Sequence, residues 1–241
     1  TSTMACAITA QKLHTKVAHV EAGIRSNDWS MPEEINRLAT DSVTNYFFTT
    51  SELANENLRK SGASEDSIFF VGNTMIDTLE AFAEEIDASG VLDTYGLEAG
   101  EYAVVTIHRP SNVDTREGLK TLAAVLRMTA GKLPAVFAAH PRTTAKMEEM
   151  GMRDVFESIP GLTMIPAQGY FDFQKLVKES RFVLTDSGGI QEETTYLGKP
   201  CLTLRPNTER PITVTQGTNT LLEFDLAAIE PVIDSILGGA Y

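Results

Sequence analysis

Thr185-Asp186-Ser187-Gly188-Gly189-Ile190-Gln191-Glu192-Glu193 follows the run Arg181-Phe182-Val183-Leu184 and opens a helical pattern that continues to Gly198. A β-branched and aromatic run ending in Asp-Ser-Gly-Gly predicts a strand, a tight turn and a helix start. Two residues without side chains at that turn leave backbone N–H groups open, and the helix macrodipole adds partial positive charge there. The turn is therefore a seat for an anion, with Ser187 as cap or as a further donor and Glu193 one helical turn on, facing hydroxyl groups rather than phosphates. An ordinary capped βα turn would carry the same short motif, so the rest of the chain decides between the two.

Outward from that stretch, strand and helix patterns alternate. On the N-terminal side a helix is expected over Met4–Leu13, a strand over Lys16–Glu21, a loop at Ala22–Arg25 and a helix from Pro32, with proline in its first turn and acids at its positive end. A strand at Tyr46–Thr50, a helix capped by Ser51 and a strand at Ile68–Val71 follow. After a glycine-rich stretch from Gly90 to Gly100, strands are expected at 103–107, 135–139, 162–165, 182–185 and 201–204, separated by helices, with a last helix over 225–237. Such alternation predicts an α/β chain of two doubly wound domains with parallel sheets, residues 1–82 and 83–241, the first lacking its opening elements. Ligands in such folds bind beyond the carboxyl ends of the strands. Glu21 and Arg25, His108 and Arg109, His140 and Arg142, Gln168 and the Ser-Gly-Gly turn all follow predicted strands, which predicts one polar cleft.

Composition narrows the partners. The 241 residues carry a net charge of −13, which argues against nucleic acid or an anionic membrane as partner. No stretch reaches the roughly 20 apolar residues that cross a bilayer, and no signal-peptide pattern is present. Two cysteines, one in each half, without CxxC or a cysteine–histidine cluster, predict neither a disulfide framework nor a zinc site and point to a reducing cytoplasm.

Six ordered motifs then carry a family resemblance: His19–Arg25, Met31–Arg37, Gly72–Asp77, Thr106–Arg109, Thr185–Glu193 and Thr208–Pro211. Along nearly the whole chain the sequence resembles the non-hydrolysing UDP-N-acetylglucosamine 2-epimerases. The resemblance implies a GT-B-like fold, an active site between two Rossmann-like domains, and interconversion of UDP-GlcNAc and UDP-ManNAc by elimination of UDP to 2-acetamidoglucal and its re-addition. It implies no metal or nicotinamide cofactor and a homodimer. It also implies truncation, because the glycine-threonine-arginine-proline-glutamate loop and the glycine-aspartate pair that open full-length members precede the equivalent of Thr1, and the last helices follow that of Tyr241.

The same resemblance implies roles for particular residues. Glu21 and Glu33 match acid/base carboxylates; on their own they read as a loop carboxylate paired with Arg25 and a helix-start acid. His108 matches a histidine that contacts the diphosphate, and Arg210 a substrate-binding arginine that would otherwise form a surface pair with Glu209. Gln168 and Phe173 match positions that hold uracil, Phe173 reading equally as core. Ser187, Gly188 and Gly189 match the diphosphate turn, and Glu193 a ribose contact. Arg109-Pro110 departs from the arginine-arginine-glutamate of some members. Three alternatives remain: a hydrolysing relative releasing free N-acetylmannosamine, a GT-B glycosyltransferase, and a catalytically inactive UDP-sugar-binding module.

Overall fold

The computed structural model describes residues 1–29 and 31–241. The chain divides into two compact units, Thr1–Thr78 and Leu79–Tyr241. Sequence alone places the boundary at 82; residues 79–82 group with the second unit because Leu79 is buried and Phe82 packs its ring 5.3 Å from that of Phe171.

The first unit comprises α1 (Ser2–Lys12), β1 (Ala18–Val20), α2 (Pro32–Ser42), β2 (Tyr46–Thr49), α3 (Glu52–Lys60), β3 (Ile68–Phe70) and the start of α4 (Thr74–Ala81). Its three strands are parallel in the order β1-β2-β3. Pro32 sits in the first turn of α2, and the Ser51 hydroxyl caps α3 by accepting the Ala54 N–H at 3.2 Å. Ala22, Phe47 and Leu58 form the core of this unit, while the Phe48 and Phe69 rings stack at 5.5 Å and Phe70 and Val71 stay exposed.

In the second unit lie α5 (Ala83–Asp87), α6 (Val91–Tyr95), β4 (Ala103–Thr106), α7 (Pro110–Val113), α8 (Arg116–Lys132), β5 (Ala135–Ala139), α9 (Pro141–Glu149), α10 (Arg153–Glu157) and β6 (Leu162–Pro166). It continues with α11 (Tyr170–Glu179), β7 (Phe182–Thr185), α12 (Gly188–Tyr196), β8 (Cys201–Leu204), α13 (Pro211–Thr215), β9 (Asn219–Leu222) and α14 (Leu226–Leu237). All six strands are parallel, in the order β6-β5-β4-β7-β8-β9. Strand β9, α6 within the glycine-rich stretch and the short helices α7, α10 and α13 add to the elements expected from sequence. Asn219–Leu222 is only four residues long and gains its strand identity from pairing with β8.

Apolar runs such as Ala103-Val104-Val105 are continuous because both faces of this sheet are covered. Ala103 and Val105 pack with Leu119, Leu122 and Leu126 of α8 and Ile229 and Ile233 of α14. Val104 points the other way, among Leu176 and Val177 of α11 and Ile190 of α12. The result is a three-layer Rossmann-like unit. Among the described residues, no helix is long and apolar enough to cross a membrane.

Candidate functional site

Strand order places the site in the second unit. The chain builds β4, β5 and β6 outward in one direction and β7, β8 and β9 in the other, so the topology switches between β4 and β7, which pair directly from Ala103↔Phe182 to Thr106↔Thr185. The loops leaving two such neighbours diverge and open a crevice at their carboxyl ends. Here those loops carry His108-Arg109 and Asp186-Ser187-Gly188.

Asp186 ties the two loops together. Its carboxylate is 0% exposed and accepts the His108 N–H (3.1 and 3.0 Å), the Arg109 N–H (2.8 Å) and the Asn112 side-chain amide (2.9 Å). His108 Nδ1 lies 3.1 Å from Asp186 Oδ1. Burial pushes the Asp186 carboxyl up, but the His108 hydrogen bond and charge, the Arg109 amide and the Asn112 amide together hold it below the usual aspartate range. His108 thus turns Nδ1 toward Asp186, and Nε2 is the ring nitrogen left for a ligand. The half-buried His108 ring lies 5.2 Å from that of His140, whose Nδ1 accepts the Arg142 N–H and so caps α9. Arg142 itself pairs with Asp114.

The predicted anion seat is present as a helix start. Ser187 is the N-cap residue of α12 by backbone position, but its hydroxyl accepts no cap hydrogen bond, so the sequence expectation of a capping side chain is corrected to a donor role at most. A Cβ built on Gly188 would stand 3.0 Å from Arg210 Nη1 and 3.8 Å from Arg205 Nη1, so two guanidinium groups converge on the α-carbon at the positive end of the helix. Only glycine permits that approach without displacing Arg210. Gly189 continues the same first turn, whose N–H groups have no acceptor within the helix.

Both arginines are held by acids, though not as the sequence suggests. Glu209 and Arg210 do not form a surface pair: buried Glu209 binds Arg205 in two parallel hydrogen bonds of 3.0 Å, and Arg210 Nε binds Glu192. Glu193 is buried, and its carboxyl is pushed up by burial, which the Gln174 hydrogen bond and the Arg210 charge only partly offset. Gln168 donates from Nε2 to the Pro166 carbonyl (2.7 Å) and lies 3.3 Å from the Tyr95 hydroxyl. Phe173 is half-buried against the cluster containing Leu176 and Val177. The structure thus gathers His108, Ser187, Gly188, Gly189 and Arg210 around one turn, with Glu193 one helical turn behind.

Glu21 and Glu33 belong to the first unit. Glu21 is half-buried with φ 63°, a left-handed backbone that a glutamate adopts only when its surroundings impose it. On either side of Glu21, buried Asp41 holds His19 Nδ1 at 2.6 Å, the Gly23 N–H at 3.2 Å and Arg25 Nη2 at 2.6 Å. Arg25 therefore pairs with Asp41, not with Glu21. Glu33 is exposed at the start of α2, whereas its neighbour Glu34 is buried. Burial pushes the Glu34 carboxyl up, but hydrogen bonds from the Ser26 and Asn27 N–H groups, the Ser26 hydroxyl and Arg37 hold it below the usual range.

Asp186, Asn112, Arg205 and Gln191 are site residues that sequence reading passed over. Asp186 and Gln191 stand inside the opening motif, and both are polar side chains with 0% exposure, a burial that sequence alone does not show.

Comparison with known proteins gives a consistent result. Residues 1–240 match the family model for UDP-N-acetylglucosamine 2-epimerase. The chain is 41% identical over 224 residues to the UDP-N-acetylglucosamine 2-epimerase of Methanocaldococcus jannaschii, covering 91% of this chain and 61% of that protein. It is 35% identical over 238 residues to the UDP-2,3-diacetamido-2,3-dideoxy-D-glucuronate 2-epimerase of Pseudomonas aeruginosa, covering 97% and 63%. The crystal structure of the M. jannaschii UDP-GlcNAc 2-epimerase in complex with UDP-GlcNAc and UDP superposes with a TM-score of 0.88 at 38% identity, over 98% of this chain and 66% of that one. The chain spans about three fifths of the length of these curated relatives.

Proposed function

We propose that this chain, which belongs to the UDP-N-acetylglucosamine 2-epimerase family, binds the diphosphate of a UDP-sugar at the β4–β7 switch point and inverts the sugar at C2. The observation that carries this is the convergence of Arg210 and Arg205 on Gly188 beside a His108 oriented by Asp186. The N–H groups of Gly188 and Gly189 and the Ser187 hydroxyl bind phosphate oxygens, Arg210 neutralises them, and His108 Nε2 meets the departing diphosphate. Gln168 and Phe173 hold the uracil and Glu193 the ribose.

The chemistry needs a base at C2 and an acid on the opposite face. A base removes the C2 proton as the C1–oxygen bond to UDP breaks and the C1=C2 bond of 2-acetamidoglucal forms. Re-addition returns the UDP oxygen to C1 and a proton to the other face of C2. Glu21 and Glu33 are assigned these proton transfers, on the strength of their motifs and of the imposed backbone at Glu21. Elimination and re-addition of this kind call on neither a metal nor a redox cofactor. UDP and inversion at C2 are common to the names of the M. jannaschii and P. aeruginosa relatives, whereas the sugars differ, so the UDP half of the substrate is the firmer part of the assignment.

A proton NMR time course in D₂O with UDP-GlcNAc, and in parallel with UDP-2,3-diacetamido-2,3-dideoxy-D-glucuronate, tests the proposal. The manno epimer with deuterium at C2 is expected from one of them, and Glu33→Gln should abolish it while UDP still binds. Free N-acetylmannosamine would indicate the hydrolysing reaction instead. UDP binding without C2 exchange would reduce the chain to a nucleotide-sugar-binding module.

A further inference from the structure

We propose that Gln191 and Asn219 are positioning residues for Arg210, acting through a closed hydrogen-bond circuit that grips its main chain on both sides and registers it against the first turn of α12. The inference rests on the reading that Arg210 meets the diphosphate. Gln191 is 0% exposed and donates from Nε2 to the Ser187 carbonyl (3.2 Å), which ties it to the turn itself. Its Oε1 accepts from the Thr208 hydroxyl (2.6 Å) and from Asn219 Nδ2 (3.1 Å). The Thr208 oxygen in turn accepts the Arg210 N–H at 3.0 Å. On the other side, Asn219 Nδ2 donates to the Thr213 oxygen (3.1 Å), and the Thr213 hydroxyl donates to the Arg210 carbonyl at 2.8 Å. Thr203 closes the set by donating to Asn219 Oδ1 at 2.6 Å.

Proton directions in this circuit are self-consistent. Gln191 Oε1 uses both lone pairs, Asn219 Nδ2 both hydrogens, and each threonine hydroxyl that touches Arg210 donates once and accepts once. Chains of hydrogen bonds in a buried setting reinforce one another and are costly when half-satisfied. Apolar residues of similar shape could fill the same volume at little loss of stability. Apolar packing would not, however, fix the N–H and carbonyl of one residue in a loop. Arg210 stands at the start of α13, a helix of five residues too short to hold its own position, and its guanidinium must reach Gly188 to within about one contact distance. Gln191 supplies the reference point because it sits on the same helix whose N-terminus receives the anion.

Titration of UDP and of uridine by calorimetry, with the whole chain, separates positioning from general support. Thr208→Val breaks the N–H side and Thr213→Val the carbonyl side, each removing one hydroxyl at constant shape. Each is expected to weaken UDP by about three- to tenfold, the range of one lost hydrogen bond, and to leave uridine unchanged. Thr208→Ser should restore UDP affinity. In an Arg210→Ala background, neither valine substitution should weaken UDP further. Equal losses for UDP and uridine, or the same loss with Arg210 already removed, would overturn the inference while leaving the function proposal standing. An unmodified chain that binds no UDP would overturn both.

Discussion

Two buried aspartates each knot a strand-end loop, one in each unit, and they do so by different means. Asp41 gathers two side chains, the His19 imidazole and the Arg25 guanidinium, and one main-chain N–H. Asp186 gathers two main-chain N–H groups, an asparagine amide and one histidine. A knot of charge on charge secures a loop but leaves its precise path to side-chain rotamers. A knot of charge on backbone fixes the path itself, which suits a turn that must present N–H groups to an anion. The difference implies that disrupting Asp41 damages stability above all, whereas disrupting Asp186 damages binding above all.

The largest effect is expected at Asp41. Asp41→Ala leaves Arg25 buried without its partner and should destabilise the first unit by about 3–5 kcal/mol, read as faster hydrogen exchange in β1–β3 with β4–β8 unaffected. The pair Asp41→Leu with Arg25→Met removes both charges and should recover most of that loss. If the double replacement is as damaging as the single one, charge compensation is not what holds the loop. Asp186→Asn is expected to come next, at about 2–3 kcal/mol of stability, read as faster exchange in β4–β8 with β1–β3 unaffected, together with a loss of UDP affinity that Asp41→Ala does not show.

A finer contrast lies within the second unit, between Asp186 and Glu193. The folded pKa of Asp186 is lowered, so its contribution is complete above the ordinary aspartate range near about 3.9 and fades as pH falls through its folded value. Asp186→Asn should therefore be most damaging at neutral pH and less so in acid. Glu193 has its pKa raised, so the folded state is favoured by the neutral carboxyl and loses that advantage as pH rises through the folded value. Glu193→Gln should then raise the melting temperature of the ligand-free chain at neutral pH, with the gain vanishing below the ordinary glutamate range, while weakening UDP. A melting curve for Glu193→Gln that is lower at pH 7 than at pH 4, relative to the parent, would contradict the burial argument.

The smallest effect on stability is expected at Gly188. Alanine suits a helix at least as well, so Gly188→Ala should change stability by less than about 1 kcal/mol. Its Cβ would nonetheless meet Arg210 Nη1, and UDP affinity should fall by about tenfold as that flexible end moves away.

Strands β4, β5, β7 and β8 were legible from sequence because burial on both faces writes itself as unbroken apolar runs. The Ser51 cap was legible because capping is a local choice of residue. Strand β9 was not, since Asn219-Thr220-Leu221-Leu222 becomes a strand only by lying against β8. The partners of Asp186 lie up to 78 residues away and follow from β4 pairing with β7, an adjacency that no local pattern contains. Likewise, Glu209 and Arg210 are neighbours in sequence, yet Arg205 and Glu192 are their actual partners. Residue types at the site could be read; which of them hold each other could not.

The most direct measurement is an amide chemical-shift map of the isotope-labelled chain titrated with UDP and, separately, with uridine. UDP is predicted to move the amides of Gly188, Gly189, Ile190 and His108 most, and uridine to leave those four unmoved while shifting the region of Gln168 and Phe173. Largest shifts in the β1–β3 loops, or a uridine response at Gly188 equal to that of UDP, would contradict a diphosphate seat at the β4–β7 switch point.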